Sequence, residues 1–124
     1  MILFQNKEFY IESHESEIPW LKIFTQTEYK ELTHMPHSLR NEMWEICYII
    51  EECMIEHYNP TKINIASFAN MLPRVHIHIM ARFEDDNYFP NPMWGERVRD
   101  SDFSVALDNE FTKKLQKSLE HFYS

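Results

Sequence analysis

Hydrophobic and polar positions alternate strictly along Arg74-Val75-His76-Ile77-His78-Ile79-Met80-Ala81-Arg82, the greater part of a stretch that begins at Leu72. Side chains of a strand point to opposite faces in turn, so the pattern predicts a β-strand with Val75, Ile77, Ile79 and Ala81 on a core. Arg74, His76, His78, Met80 and Arg82 then share the other face. Phe9–Ser13 and Pro19–Thr25 have strand composition and are separated by the polar turn Glu15-Ser16-Glu17, which predicts an antiparallel hairpin. Lys62–Ser67 alternates again and leads through Phe68–Pro73 into the histidine strand, so these two should pair antiparallel.

Between Pro36 and Tyr58 the period changes to that of a helix. Leu39, Met43, Ile46, Ile50 and Cys53 follow steps of four and three. Trp44, Cys47, Ile49 and Met54 widen the apolar face, which predicts cover on more than one side. Pro36 suits the first turn, and Asn59-Pro60 ends the helix. A final helix is predicted after the N-cap Asp108, with Phe111, Leu115, Leu119 and Phe122 on one face. Phe83–Asn87 and the aromatic Phe89–Gly95 read as a packed loop, and residues 96–107 carry little signal. The expected fold is a single α+β domain over residues 1–124, one antiparallel sheet with a helix on its apolar face.

Composition narrows the function. The net charge of −8 argues against a general binder of nucleic acid or anionic membrane, since both need basic patches. A small phosphorylated ligand held by a few local groups remains compatible with it. Met1–Phe4 is too short for a signal-peptide core, and no run reaches the length of a membrane span, so a soluble cytoplasmic protein is expected. Cys47 and Cys53 fall on different faces of the predicted helix and read as reduced, partly buried residues.

Of seven histidines, His14, His34, His37, His57 and His121 stand in turns or at helix positions and carry no special pattern. His76 and His78 differ, because a strand holds both on one face about 7 Å apart at a rise of ~3.3 Å per residue. Three readings follow. The face is merely solvated; or the imidazoles bind a metal, with Glu84, Asp85 or Asp86 completing the site if the chain folds back; or the face handles phosphate. Arg74 on the same face repels a cation and favours the third. Arg74, His78, Asn64 and Asn70 can donate to phosphate oxygens, and His76 can serve as nucleophile or general acid/base.

The stretch from Ile63 to Asp86, followed by Phe89-Pro90-Asn91-Pro92-Met93-Trp94-Gly95, resembles the histidine triad (HIT) superfamily, in particular small bacterial members ending in a similar Pro-x-Pro-x-Trp-Gly run. The Pro19-Trp20 strand and the helix ending at Asn59-Pro60 fall where that family has its second strand and main helix. The resemblance implies an antiparallel sheet of about five strands with a main and a C-terminal helix, commonly paired into a homodimer with a continuous sheet. It implies a nucleotide or nucleotide-conjugate partner, and hydrolase or transferase chemistry at the α-phosphate through a nucleotidyl-histidine, with no metal or cofactor. By the same resemblance His76 is the nucleophile, His78 contacts phosphate and the leaving oxygen, and Asn70 and Asn64 hold the substrate. The sequence departs from the family in three places. Arg74 replaces the first triad histidine, which orients the nucleophile's ring; Ala69 stands where a glycine is frequent; and Trp20 replaces a supporting histidine. These departures keep two alternatives open: a nucleotide-binding HIT fold without turnover, and an interaction or metal-binding module.

Overall fold

A computed structural model describes residues 1–124. In chain order the elements are β1 (Ile2–Gln5), β2 (Phe9–Ser13), β3 (Trp20–Thr25), a short 3-10 turn (Leu32–His34), α1 (His37–Tyr58), β4 (Lys62–Ala66), β5 (His76–Arg82) and α2 (Asn109–Phe122). The five strands form one sheet in the order β1-β2-β3-β5-β4, with every neighbouring pair antiparallel. The histidine strand is therefore interior, hydrogen-bonded on both sides. A two-sided ladder fixes its register, and a one-residue slip would turn both imidazoles into the core.

The core lies on one face of the sheet. Ile77, Ile79 and Ala81 of β5 and Leu21 and Ile23 of β3 are almost completely buried there. They pack in one cluster with Leu39, Met43, Ile46, Cys47, Ile50 and Met54 of α1 and with Phe111, Leu115 and Leu119 of α2. Truncating one such Leu, Ile or Met to Ala costs about 2–5 kcal/mol, so this cluster fixes which face of β5 points away. Helix α1 ends as expected, with Asn59 left-handed at φ 48° and its N–H bonded to Ile55 O. Asp108 caps α2 by accepting from Phe111 N at 2.8 Å. Both cysteines are free thiols, and burial pushes Cys47 up to about 12. No helix is long and apolar enough to cross a membrane.

The structure corrects four expectations. Residues 2–5, for which the pattern predicts no strand, form edge strand β1, closed onto β2 by Asn6 Oδ1 accepting from the N–H groups of Glu8 and Phe9. The histidine strand begins at His76 rather than Leu72, because Pro73 has no N–H and Val75 N bonds to Tyr29 O outside the sheet. Pro36 is the N-cap of α1 rather than a residue of its first turn. Phe122 is 39% exposed and lies outside the core, although Phe111, Leu115 and Leu119 are buried as expected.

Residues 83–107 have no regular structure, yet they are tied down. Arg82 and Asp86 are both buried and form a two-pronged ion pair at 2.9 and 3.1 Å. Asp86 also accepts from the N–H groups of Phe83, Tyr88 and Phe89, while Arg82 reaches Asn91 O. Asn87 joins Glu17 to Ser101 through its side chain. Below this loop Ile18, Trp20 and Met80 form a small apolar cluster on which Met93 and Phe103 rest. Side-chain bonds to main chain therefore order a segment without hydrophobic periodicity, and hold it over one end of the histidine face.

Candidate active site

The register of the sheet assembles the site. His76 lies opposite Phe24 and His78 opposite Lys22, both on β3; Met80 lies opposite Trp20. On the other flank His78 lies opposite Ala66 and Met80 opposite Asn64 of β4. Directly opposed residues project to the same face, so Trp20, Lys22 and Phe24 form a second row beside the two imidazoles. A cavity of about 450 Å³ opens over them, with His76, His78, Lys22 and Phe24 on its floor. Its rim is apolar and solvent-facing, from Phe68, Met71, Leu72 and Trp94.

His76 is 6% exposed and stacks on Phe24, with ring centroids 4.9 Å apart and planes 11° from parallel. Phe24 stacks in turn on Tyr10 at 4.9 Å. The Nδ1 of His76 lies 2.8 Å from the main-chain carbonyl of Arg74. A carbonyl only accepts, so in the neutral ring Nδ1 carries the proton and Nε2 keeps its lone pair. His78 is held in the opposite sense. Its Nδ1 lies 3.0 Å from Nε1 of Trp20. An indole N–H only donates, so Nδ1 of His78 is the acceptor and the proton of the neutral ring sits on Nε2. Burial, followed by the nearby His76, Lys22 and His14, pushes His78 down to about 4, so the ring is neutral at pH 7. The two imidazoles lie 4.9 Å apart between centroids and present a bare nitrogen and an N–H respectively.

The structure separates the residues that the sequence grouped. His76, His78 and Asn70 border the cavity. Arg74 does not. Its guanidinium lies over Phe24, bonds to Thr25 O and approaches Glu28 at 3.6 Å. Ring orientation, which Arg74 could not supply as a side chain, is supplied by its backbone. Asn64 also lies away from the cavity, and its Oδ1 accepts from Arg82 at 2.9 Å. Asp86, considered as a metal ligand, is engaged by Arg82 and three main-chain N–H groups, and no group of three or more His, Cys, Asp or Glu side chains is placed to hold a metal.

Besides Phe68, Met71 and Leu72 of the rim, four side chains at the histidines escaped sequence reasoning as site residues. Trp94 lies 5.0 Å from His78, 5.2 Å from Trp20 and 4.7 Å from Phe68 between ring centroids. Lys22, Phe24 and His14 also border the cavity, the last with its ring 4.1 Å from that of Trp20 and tilted by 36°. The signal for Lys22 and Phe24 was the alternation Trp20-x-Lys22-x-Phe24, which becomes informative once the β3–β5 register is known. Trp94 was marked only as part of the Pro-x-Pro-x-Trp-Gly run, and nothing local marks His14.

A sequence model of the HIT domain matches residues 1–85. No curated protein matches the chain. Among solved structures, a histidine triad protein from Bradyrhizobium japonicum is 23% identical, with TM-score 0.76, 95% of this chain covered and 89% of that one. One from Marinobacter aquaeolei VT8 is also 23% identical, with TM-score 0.77 and coverage of 98% and 89%. A hypothetical histidine triad nucleotide-binding protein from Sulfolobus tokodaii is 9% identical, with TM-score 0.62 and coverage of 98% and 84%. These likenesses speak for the fold: five antiparallel strands and two helices. Together with the sequence match, which spans more than half of the chain and includes both histidines of β5, they lead to one conclusion: the chain belongs to the HIT domain family.

Proposed function

We propose that this protein binds a nucleotide conjugate and transfers its nucleotidyl group through His76. The observation that carries the reading is the pair of opposed tautomers, a bare Nε2 on His76 beside an Nε2–H on His78. The lone pair of His76 Nε2 forms a bond to the α-phosphorus, and the bond from phosphorus to the leaving group breaks with its electron pair going to the leaving atom. His76 keeps its Nδ1 proton toward Arg74 O, so the nucleotidyl ring is a cation beside the phosphate anion. Water then attacks phosphorus, the ring departs as neutral imidazole, and a proton of the water is released with the nucleoside monophosphate. Splitting one displacement into two lowers each barrier. His78, Lys22 and Asn70 supply donors around the phosphoryl oxygens, and a well-placed donor of this kind is worth roughly 3 kcal/mol in the transition state. The exposed Phe68, Met71, Leu72 and Trp94 offer apolar surface for a base. The nucleotide-binding name of the Sulfolobus tokodaii relative agrees with this.

The test is an alkaline denaturing quench after mixing the protein with adenylated and guanylated conjugates, followed by intact-protein mass spectrometry. Wild type gains the mass of one nucleotidyl group and His76→Ala does not. Equal inertness of both proteins across the panel would overturn the proposal. A second reading, nucleotide binding without turnover, is favoured by the exposed apolar rim of Phe68, Met71, Leu72 and Trp94, which needs no chemistry beneath it. Calorimetric binding with no trapped adduct distinguishes it.

A further inference from the structure

We propose that Trp20 is a positioning residue that fixes His78 as a hydrogen-bond donor rather than a proton donor, and that the substrate is therefore a phosphoanhydride whose leaving group departs as an anion. The inference rests on the nucleotidyl transfer proposed above. Trp20 is 6% exposed and gives its only side-chain donor to His78 Nδ1 at 3.0 Å. To become an imidazolium, His78 would have to place a second proton on Nδ1, facing that indole N–H. Two donors would then oppose each other in a buried site, and the lost acceptor leaves Nε1 of Trp20 unsatisfied. The groups charged or chargeable around His78 act in the same direction: Lys22 on β3, His14 in the β2–β3 turn and His76 on β5. Glu12, the nearby carboxylate, is paired with Lys22 at 3.1 Å and not with His78. On the β4 side the neighbour is Ala66.

A neutral Nε2–H donor can stabilise a departing oxygen but cannot protonate it without becoming an imidazolate. In an anhydride the bridging electron pair passes to a phosphate oxygen, which is stable as an anion. His78 keeps its proton and hydrogen-bonds to that oxygen, and the cation Lys22, also bordering the cavity, faces the charge that develops. In a phosphoramidate the pair passes to an amine nitrogen, which must gain a proton as it leaves. The other candidate protons at the site are engaged elsewhere: the His76 Nδ1 hydrogen is directed at Arg74 O, and the Lys22 ammonium is paired with Glu12 at 3.1 Å, so it serves the site as a fixed charge. Loss of general-acid assistance costs on the order of 100-fold, which sets the size of the expected preference for anhydrides.

Two measurements test this. Nitrogen-15 NMR of histidine-labelled wild type should show His78 neutral and protonated on Nε2 at pH 7; in Trp20→Phe the ring should mix tautomers and titrate closer to an ordinary histidine. Parallel kinetics should show wild type cleaving an adenylated diphosphate conjugate about 100-fold faster than an adenosine phosphoramidate, with the ratio falling about tenfold in Trp20→Phe. A wild-type His78 protonated on Nδ1 at pH 7 overturns the inference, as does equal turnover of both conjugates. Inertness toward both, with the expected tautomer in place, overturns nucleotidyl transfer and the substrate class with it, and leaves the Trp20 lock supported. If Trp20→Phe does not fold, the two wild-type measurements decide.

Discussion

His76 donates from Nδ1 to the carbonyl oxygen of Arg74 at 2.8 Å, while the side chain of Arg74 turns away to Thr25 and Glu28. The residue two positions before His76 thus orients its ring through main chain, which any residue at that position can supply.

Arg74→Gln should therefore keep kcat/KM within about threefold of wild type. Its cost should appear in stability, at roughly 1 kcal/mol, from the lost bond to Thr25 O and the exposed contact with Glu28. Steady-state kinetics and urea unfolding separate the two. A loss on the order of 100-fold in a folded variant would mean that the guanidinium reaches the substrate.

Arg82 and Asp86 pair with almost no solvent contact, so removing one leaves the other as an uncompensated buried charge. Asp86→Ala should cost about 3–5 kcal/mol by denaturant unfolding. Asp86 also anchors the chain leading to Trp94, so near-ultraviolet circular dichroism should change together with stability. Asn64→Ala, which removes an acceptor from Arg82, should lower stability and leave nucleotide affinity unaltered.

Acidification should destabilise the fold in a defined window. The folded ring of His78 is pushed from 6.5 down to about 4, so the unfolded chain takes up a proton that the folded chain refuses. Stability from this group is complete above about pH 6.5 and is lost as pH falls toward 4. Asp86 adds a second loss at lower pH: burial pushes its carboxyl up, but Arg82 and the three N–H groups outweigh this and hold it below the usual range. Thermal unfolding at pH 7 and pH 5 should give a lower midpoint at pH 5, and Trp20→Phe should flatten that dependence.

Ala69 adopts φ 54°, the left-handed region where a Cβ is unfavourable, in the loop that borders the cavity. Ala69→Gly should raise stability by about 1 kcal/mol, because relief of this strain exceeds the entropy that glycine adds to the unfolded chain. An unchanged or lowered unfolding midpoint contradicts the account.

Strand β4 is an open edge of the sheet, and Ile65 on it is 38% exposed. We propose that a second copy covers this side as a homodimer. Sedimentation velocity at micromolar concentration should give twice the 15.1 kDa chain mass; a clean monomer would sink the proposal.

Alternation along Val75–Arg82, helical spacing from Leu39 to Met54, the caps Asn59 and Asp108, and the run of family residues through His76 and His78 were legible because each is local: side-chain direction follows from backbone period, and capping from neighbours within a turn. They determined the sheet, its two faces, and which face carries imidazoles. The protonation of those imidazoles was not local. It is set for His78 by an indole 58 residues away, brought alongside by antiparallel register, and for His76 by a carbonyl freed where β5 starts late. Burial of Arg82 with Asp86 and the placement of Trp94 likewise depend on a loop without hydrophobic period, ordered by bonds that form only when the chain is folded. Sequence determined where the histidines stand; tertiary structure decided which nitrogen of each holds the proton, because a ring's tautomer follows the donor or acceptor that packing places against it.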